Sequence, residues 1–179
     1  EDGKSLISCN LAASFSKDPD RRVILVDCDF RNPSIHHYFG TSVSPGLLSY
    51  LETDNMQPYC YLRRLERLYI MTAGGYATNP VEMLTLEKMQ KFIDLLKGEF
   101  DTIILDAPPF TPISDAQIVT GLADGFVLVA RSGKTTFTNL EVAFRSFDRN
   151  KLIGVVFNDV QPRMFHTLYD YRYYGKKGP

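Results

Sequence analysis

Gly3-Lys4-Ser5 opens a stretch of helical periodicity, and these three residue types in this order can hold phosphate. Glycine lets the backbone approach an anion, and successive N–H groups at a helix start donate to it. A lysine there reaches the β- and γ-phosphates of a nucleotide, and the serine hydroxyl can bind Mg²⁺. By itself the tripeptide is equally a capped helix start. Two further sets of acids change the weighing. Asp27 and Asp29 follow the apolar run Val23-Ile24-Leu25-Val26, and Asp106 follows Thr102-Ile103-Ile104-Leu105. Ligands of open α/β sheets bind at the carboxyl ends of the strands, so all three carboxylates would converge on the phosphate loop. Carboxylates gathered there are costly unless a cation meets them, and Mg²⁺-nucleotide supplies one. One acid at a strand end merely begins a loop; three beside Gly-Lys-Ser argue for nucleotide binding.

The elements that must position these residues can be read from periodicity. Apolar, β-branched runs without polar alternation recur at Val23 to Val26, Thr102 to Leu105, Phe126 to Val129 and Ile153 to Phe157, with Leu68 to Met71 as a fifth. Strands buried on both faces of a parallel sheet read this way. Between them, helical spacing marks Ser5 to Ser16, Val81 to Leu96 (opened by Asn79-Pro80) and Phe137 to Phe147. The expectation is an α/β fold, a doubly wound and mainly parallel sheet with helices on both faces. Residues 1–161 form its core, and 162–179 a tyrosine-rich tail. The strand that leads into such a phosphate loop is expected at the centre of the sheet. It falls outside this chain, as does the first glycine of the loop.

Composition narrows the function classes. An apolar fraction of 44% supports one sizeable core, and a net charge of −1 gives no global attraction to nucleic acid or anionic lipid. The longest apolar runs fall far short of the ~20 residues of a membrane-spanning helix. Cys9, Cys28 and Cys60 lack paired spacing and read as reduced core thiols of a cytoplasmic protein. His36 and His37 are adjacent, would point to opposite sides of an extended segment, and read as surface residues.

The motifs Glu1-Asp2-Gly3-Lys4-Ser5, Ile24-Leu25-Val26-Asp27-Cys28-Asp29-Phe30-Arg31-Asn32-Pro33 and Ile103-Ile104-Leu105-Asp106-Ala107-Pro108-Pro109 together resemble those of the bacterial protein-tyrosine kinases of exopolysaccharide and capsule export. The similarity continues through Asn79-Pro80-Val81-Glu82-Met83-Leu84, Ser114-Asp115-Ala116 and Gly154-Val155-Val156-Phe157-Asn158, and so covers nearly the whole chain. The resemblance implies a P-loop ATPase fold, ATP and Mg²⁺ as cofactors, and autophosphorylation of a C-terminal tyrosine cluster, here Tyr169, Tyr171, Tyr173 and Tyr174. By the same resemblance Asp2, Gly3, Lys4 and Ser5 hold the phosphates, with Lys4 on the β- and γ-groups and Ser5 on the metal. Asp27 and Asp29 share metal positioning and deprotonation of the acceptor tyrosine, in an order left open. Asp106 holds Mg²⁺ through water, while Arg131 and Asn158 flank the adenine. Arg31 belongs to the motif without an assigned role. Implied partners are further copies joined through upstream segments, a membrane-bound polysaccharide co-polymerase or activator domain at the inner face of the cell membrane, and protein tyrosine substrates; no nucleic acid is implied. One departure is Glu1, which stands where the family has glycine.

Two other readings stay in play. A partitioning or division-site switch ATPase shares the fold and the acid geometry. Its membrane-bound members end in an amphipathic helix, which Tyr169-Asp170-Tyr171-Arg172-Tyr173-Tyr174-Gly175 does not offer. A non-enzymatic adaptor would use the aromatic, basic tail to stack on single-stranded nucleic acid, but no wider basic patch accompanies it.

Overall fold

Val23–Asp27 (β1) is buried at all five positions, as its uninterrupted apolar run requires. The computed structural model describes residues 2–54, 57–110 and 114–161. Leu68–Met71 (β3) and Thr102–Asp106 (β4) flank β1, both parallel to it, with Asp27 in register with Asp106. Arg63–Leu65 (β2) adds an antiparallel edge strand that periodicity did not reveal, giving the order β2-β3-β1-β4. Three residues are too few to display an alternation.

Alternation along β1 sends its side chains to two cores. Val23 and Leu25 pack with Cys9 and Ala12 of Lys4–Phe15 (α1), and with Leu68 and Ile70. Ile24 and Val26 pack on the other face with Met71 and the inward stripe of Glu87–Glu99 (α5). That stripe is Met89, Phe92, Ile93 and Leu96, the i, i+3, i+4, i+7 spacing of one helix face. Burial of each such side chain stabilises by roughly 1.5–3 kcal/mol. Helices therefore cover both faces, as expected.

Phe126–Arg131 (β5) and Leu152–Asn158 (β6) form a separate parallel pair, joined through Phe137–Ser146 (α7). Among the described residues β5 makes no ladder with β4. A largely apolar cleft of about 510 Å³ runs between them, lined by Ile103, Ile104 and Leu105 on one side and Val127, Leu128 and Val129 on the other. Ile7, Leu11 and Phe15 of α1 line it as well, so α1 is apolar on two sides because it faces both a core and this cleft. This is the place anticipated for the strand leading into the phosphate loop.

Several expectations need correction. The helix expected over Val81 to Leu96 is two helices, Pro80–Thr85 (α4) and α5, broken at Leu86 with extended ψ of 139°. On one continuous helix Leu84 and Met89 would lie roughly 140° apart. The break lets both reach the same core. His36 and His37 lie in one helical turn, Ile35–Tyr38 (α2), with ring centroids 3.9 Å apart; His37 is exposed and His36 half-buried. Cys9 and Cys28 are buried thiols as read, but Cys60 is exposed.

Candidate active site

The polar cleft at the start of α1 brings together residues from four strand ends. Gly3 precedes the helix in the left-handed region, φ 86°, and a Cβ there would stand 2.2 Å from Asn158 Nδ2. Only glycine accepts both the conformation and the crowding. Asn158 Nδ2 donates to the Asp2 carbonyl at 2.9 Å, and Thr135 Oγ1 donates to the Asp2 carboxylate at 3.2 Å. The carboxyl ends of β5 and β6 thus hold the phosphate loop in place. Thr135 escaped the sequence reading, since nothing in its neighbourhood signals a partner 133 residues away. Arg131 and Asn158, expected beside adenine, do line this cleft of about 630 Å³ with Lys4 and Ser5, and Arg131 Nε pairs with Asp159 at 2.9 Å. Asp159 also lines it, a residue not foreseen.

The two acids that the sequence left interchangeable have different surroundings. Asp27 is fully buried and its carboxylate accepts three backbone N–H groups: Asp29 on Oδ1 at 3.1 Å, Ser34 and Ile35 on Oδ2 at 3.1 and 3.2 Å. It thereby satisfies the first donors of α2, whose own Ser34 makes no side-chain cap. Asp29, also buried but 7% exposed, lines the polar cleft together with Lys4 and Ser5. Its Oδ1 accepts the N–H groups of Arg31 and Asn32 at 3.1 and 2.9 Å, which fixes the carboxylate at the head of a tight loop.

Asp106 is buried beside Asp27. Its Oδ1 accepts Ser8 Oγ at 2.9 Å, while Oδ2 has no hydrogen-bond partner among the described residues. Burial raises its carboxyl above the usual range, against the opposing influence of the Ser5 and Ser8 hydroxyls and the charge of Lys4. Burial first, then the Asp106 charge, pushes Asp27 up to about 7. Two buried carboxylates in register with one orphaned oxygen suit a divalent cation. Among the described residues no group of three or more His, Cys, Asp or Glu could hold one unaided. That donor set fits Mg²⁺, which takes one or two carboxylates, waters and substrate phosphates in place of an all-protein cage. The tail tyrosines Tyr169, Tyr171, Tyr173 and Tyr174 lie outside the described residues.

A helix N-terminus with Gly-Lys-Ser, facing acids on neighbouring parallel strands, defines a P-loop nucleotide-binding domain. Residues 1–173 match the model of the CbiA family, the CobQ/CobB/MinD/ParA nucleotide binding domain. Tyrosine-protein kinase YwqD of Bacillus subtilis is 32% identical over 98% of this chain and 74% of its own length. Tyrosine-protein kinase CpsD of Streptococcus agalactiae is 31% identical over 98% of the chain and 78% of its own. The chain belongs to the bacterial tyrosine-protein kinases within that nucleotide-binding family. It spans only 23% of the putative tyrosine-protein kinase EpsB of Ralstonia nicotianae, to which it is 30% identical. Among solved structures, the kinase domain of the Escherichia coli tyrosine kinase ETK superposes with a TM-score of 0.83 at 26% identity, over 91% of this chain and 65% of that one. The septum site-determining protein MinD of Pyrococcus horikoshii, at 17% identity and a TM-score of 0.68 over 93% of this chain and 72% of its own, shares the fold alone. Among the described residues no helix is long and apolar enough to cross a membrane.

Proposed function

We propose that this domain transfers the γ-phosphoryl group of ATP to tyrosine hydroxyls, those of its own C-terminal cluster included. The observation that carries the reading is the convergence of Lys4, Ser5 and Asp29 on one cleft, with the orphaned oxygen of Asp106 behind the helix start. Phosphoryl transfer asks a protein mainly for positioning and charge neutralisation. Backbone N–H groups at the start of α1 and the Lys4 ammonium hold the β- and γ-phosphates. Bound Mg²⁺, held by Ser5 and by Asp106 with Asp27 beside it, would neutralise phosphate charge. Asp29, which lines the cleft with Lys4 and Ser5, would take the proton of the acceptor hydroxyl. The tyrosine oxygen forms a bond to the γ-phosphorus, the bond from that phosphorus to the β–γ bridging oxygen breaks, and ADP leaves. Arg131, Asn158 and Asp159 form the end of the cleft that receives the base. The choice of tyrosine over water as acceptor rests on relatives such as YwqD and CpsD, which are named tyrosine-protein kinases. The wider role rests on the motif resemblance: a cytoplasmic domain at the inner membrane face, acting with a membrane-bound activator in polysaccharide export and assembling through segments upstream.

The test uses the full-length protein, labelled ATP and phosphotyrosine mapping by mass spectrometry. Label is expected on tyrosine, with Lys4→Met lowering it by at least about 100-fold, since a charge facing the transferred group typically contributes several kcal/mol. ATP consumption with no tyrosine labelled would return the protein to the switch-ATPase reading.

A further inference from the structure

Arg31 lies in the acidic motif yet plays no part in the chemistry above. Its guanidinium reaches across to Ser114–Leu122 (α6), the helix that follows β4 in the chain. Nε and Nη2 both donate to the carboxylate of Asp115, at 2.5 and 3.2 Å. The Asp115 side chain is 2% exposed and also accepts Ser114 Oγ at 3.0 Å, whereas Arg31 remains 47% exposed. Ala116 and Val119 of the same helix are buried, so the acceptor stands on a packed element. The backbone of Arg31 does a second thing: its N–H, with that of Asn32, donates to Asp29 Oδ1. One residue therefore orients the cleft carboxylate through its main chain and is anchored to a rigid helix through its side chain.

We propose that Arg31 is a positioning residue, clamped by Asp115, that fixes the loop presenting Asp29 to the cleft. The two ends of this clamp lie after β1, which leads into Asp29, and after β4, which ends at Asp106. It holds both acidic segments in one frame. An exposed ion pair with no such connection would contribute little to anything. Here a drift of the loop by about 1 Å would misplace the carboxylate that meets the acceptor, and errors of that size slow positioned reactions by on the order of 100-fold. The planar fork explains why the residue is arginine, because a lysine carries the charge but cannot make both bonds. This inference rests on the functional reading above for the role of Asp29.

The experiment measures single-turnover ATP consumption, fluorescent-ADP affinity with Mg²⁺ and thermal unfolding for full-length Arg31→Gln, Arg31→Lys, Asp115→Asn and the Arg31→Gln/Asp115→Asn double variant. Turnover should fall by roughly 10–100-fold in each single variant, the range for partners that orient a reacting group from behind. Nucleotide affinity should change less than about 3-fold, because the lost contribution belongs to the reacting state. The double variant should be no slower than the slower single, since both substitutions break one clamp. Wild-type turnover in Arg31→Lys, or losses that multiply in the double variant, would overturn the proposal; should Arg31→Gln unfold, the lysine variant decides. ATP consumption separates this outcome from failure of the kinase reading, in which the wild type would consume ATP and label no tyrosine.

Discussion

Asp27 and Asp29 stand two residues apart on a chain where successive side chains face opposite ways and these two should face alike. The strand ends at Asp27, however, and the loop beyond it turns Asp29 into the cleft while Asp27 stays among backbone donors. Substitutions at the two positions should therefore fail differently. Asp29→Asn should keep its melting temperature and lose about 100-fold or more in turnover, the usual contribution of a general base. Asp27→Asn sets an amide NH₂ against backbone N–H groups, and should lose about 1–3 kcal/mol of stability, read by chemical unfolding. Equal stability losses in both would sink this division of roles. Asp115 supplies a pH signature. Arg31 foremost, and Ser114, hold its carboxyl below the usual range against the opposing effect of burial. Its folded pKa is depressed, so its contribution is present at neutral pH, where folded and unfolded forms are both ionised. That contribution is lost as pH falls below about 4, through the ordinary aspartate value toward the lower folded one. Asp115→Asn should flatten the fall in melting temperature as pH drops below about 4; an unchanged slope would show that other carboxylates carry the acid sensitivity.

At the scale of elements, the interrupted sheet matters most. The edges of β4 and β5 face each other across an apolar cleft, and α1 turns Ile7, Leu11 and Phe15 towards it. Unpaired edges with apolar side chains between them are a template for a further strand. A chain extended upstream of Glu1 by an apolar, β-branched segment should therefore melt about 5–10 °C higher, from a few kcal/mol of added burial. It should also bind ATP more tightly, since α1 and its phosphate-binding start would be held on both sides. Identical melting and affinity with and without the segment would mean the slot accepts no strand. The sheet was legible in advance because buried parallel strands leave uninterrupted apolar runs. The break at Leu86 was not, because Leu84, Met89 and their neighbours read as one periodic stretch until the core they share is known.

For the whole molecule, the proposal concerns how subunits meet. In the sequence the four tail tyrosines fall within residues 169–174, shortly after the last core strand ends at Asn158. The segment between is short, which favours transfer from one copy to the tail of another. Mixing a Lys4→Met protein with an active one carrying Tyr169→Phe, Tyr171→Phe, Tyr173→Phe and Tyr174→Phe should place phosphate on the Lys4→Met tail. Each phosphate brings roughly −1.5 to −2 charges, so any assembly of copies detected by analytical ultracentrifugation should loosen as labelling rises. Label that appears only when catalysis and tail share one chain would replace transfer between molecules by transfer within one.

The sequence by itself determined the class of fold and the kind of chemistry, because both leave local traces. A buried strand is a run of β-branched residues, a phosphate loop is three residues at a helix start, and acids at strand ends are adjacent in the chain to the strands that carry them. What only the tertiary structure decided depends on residues far apart in sequence. It separated Asp27 from Asp29 through donors in α2 and the loop. It tied Asp2 to Thr135 and Asn158, and it anchored Arg31 on Asp115, 84 residues away. A hydrogen bond acts within about 3 Å and leaves no periodicity in the chain, so these partners become legible only when folding brings them together.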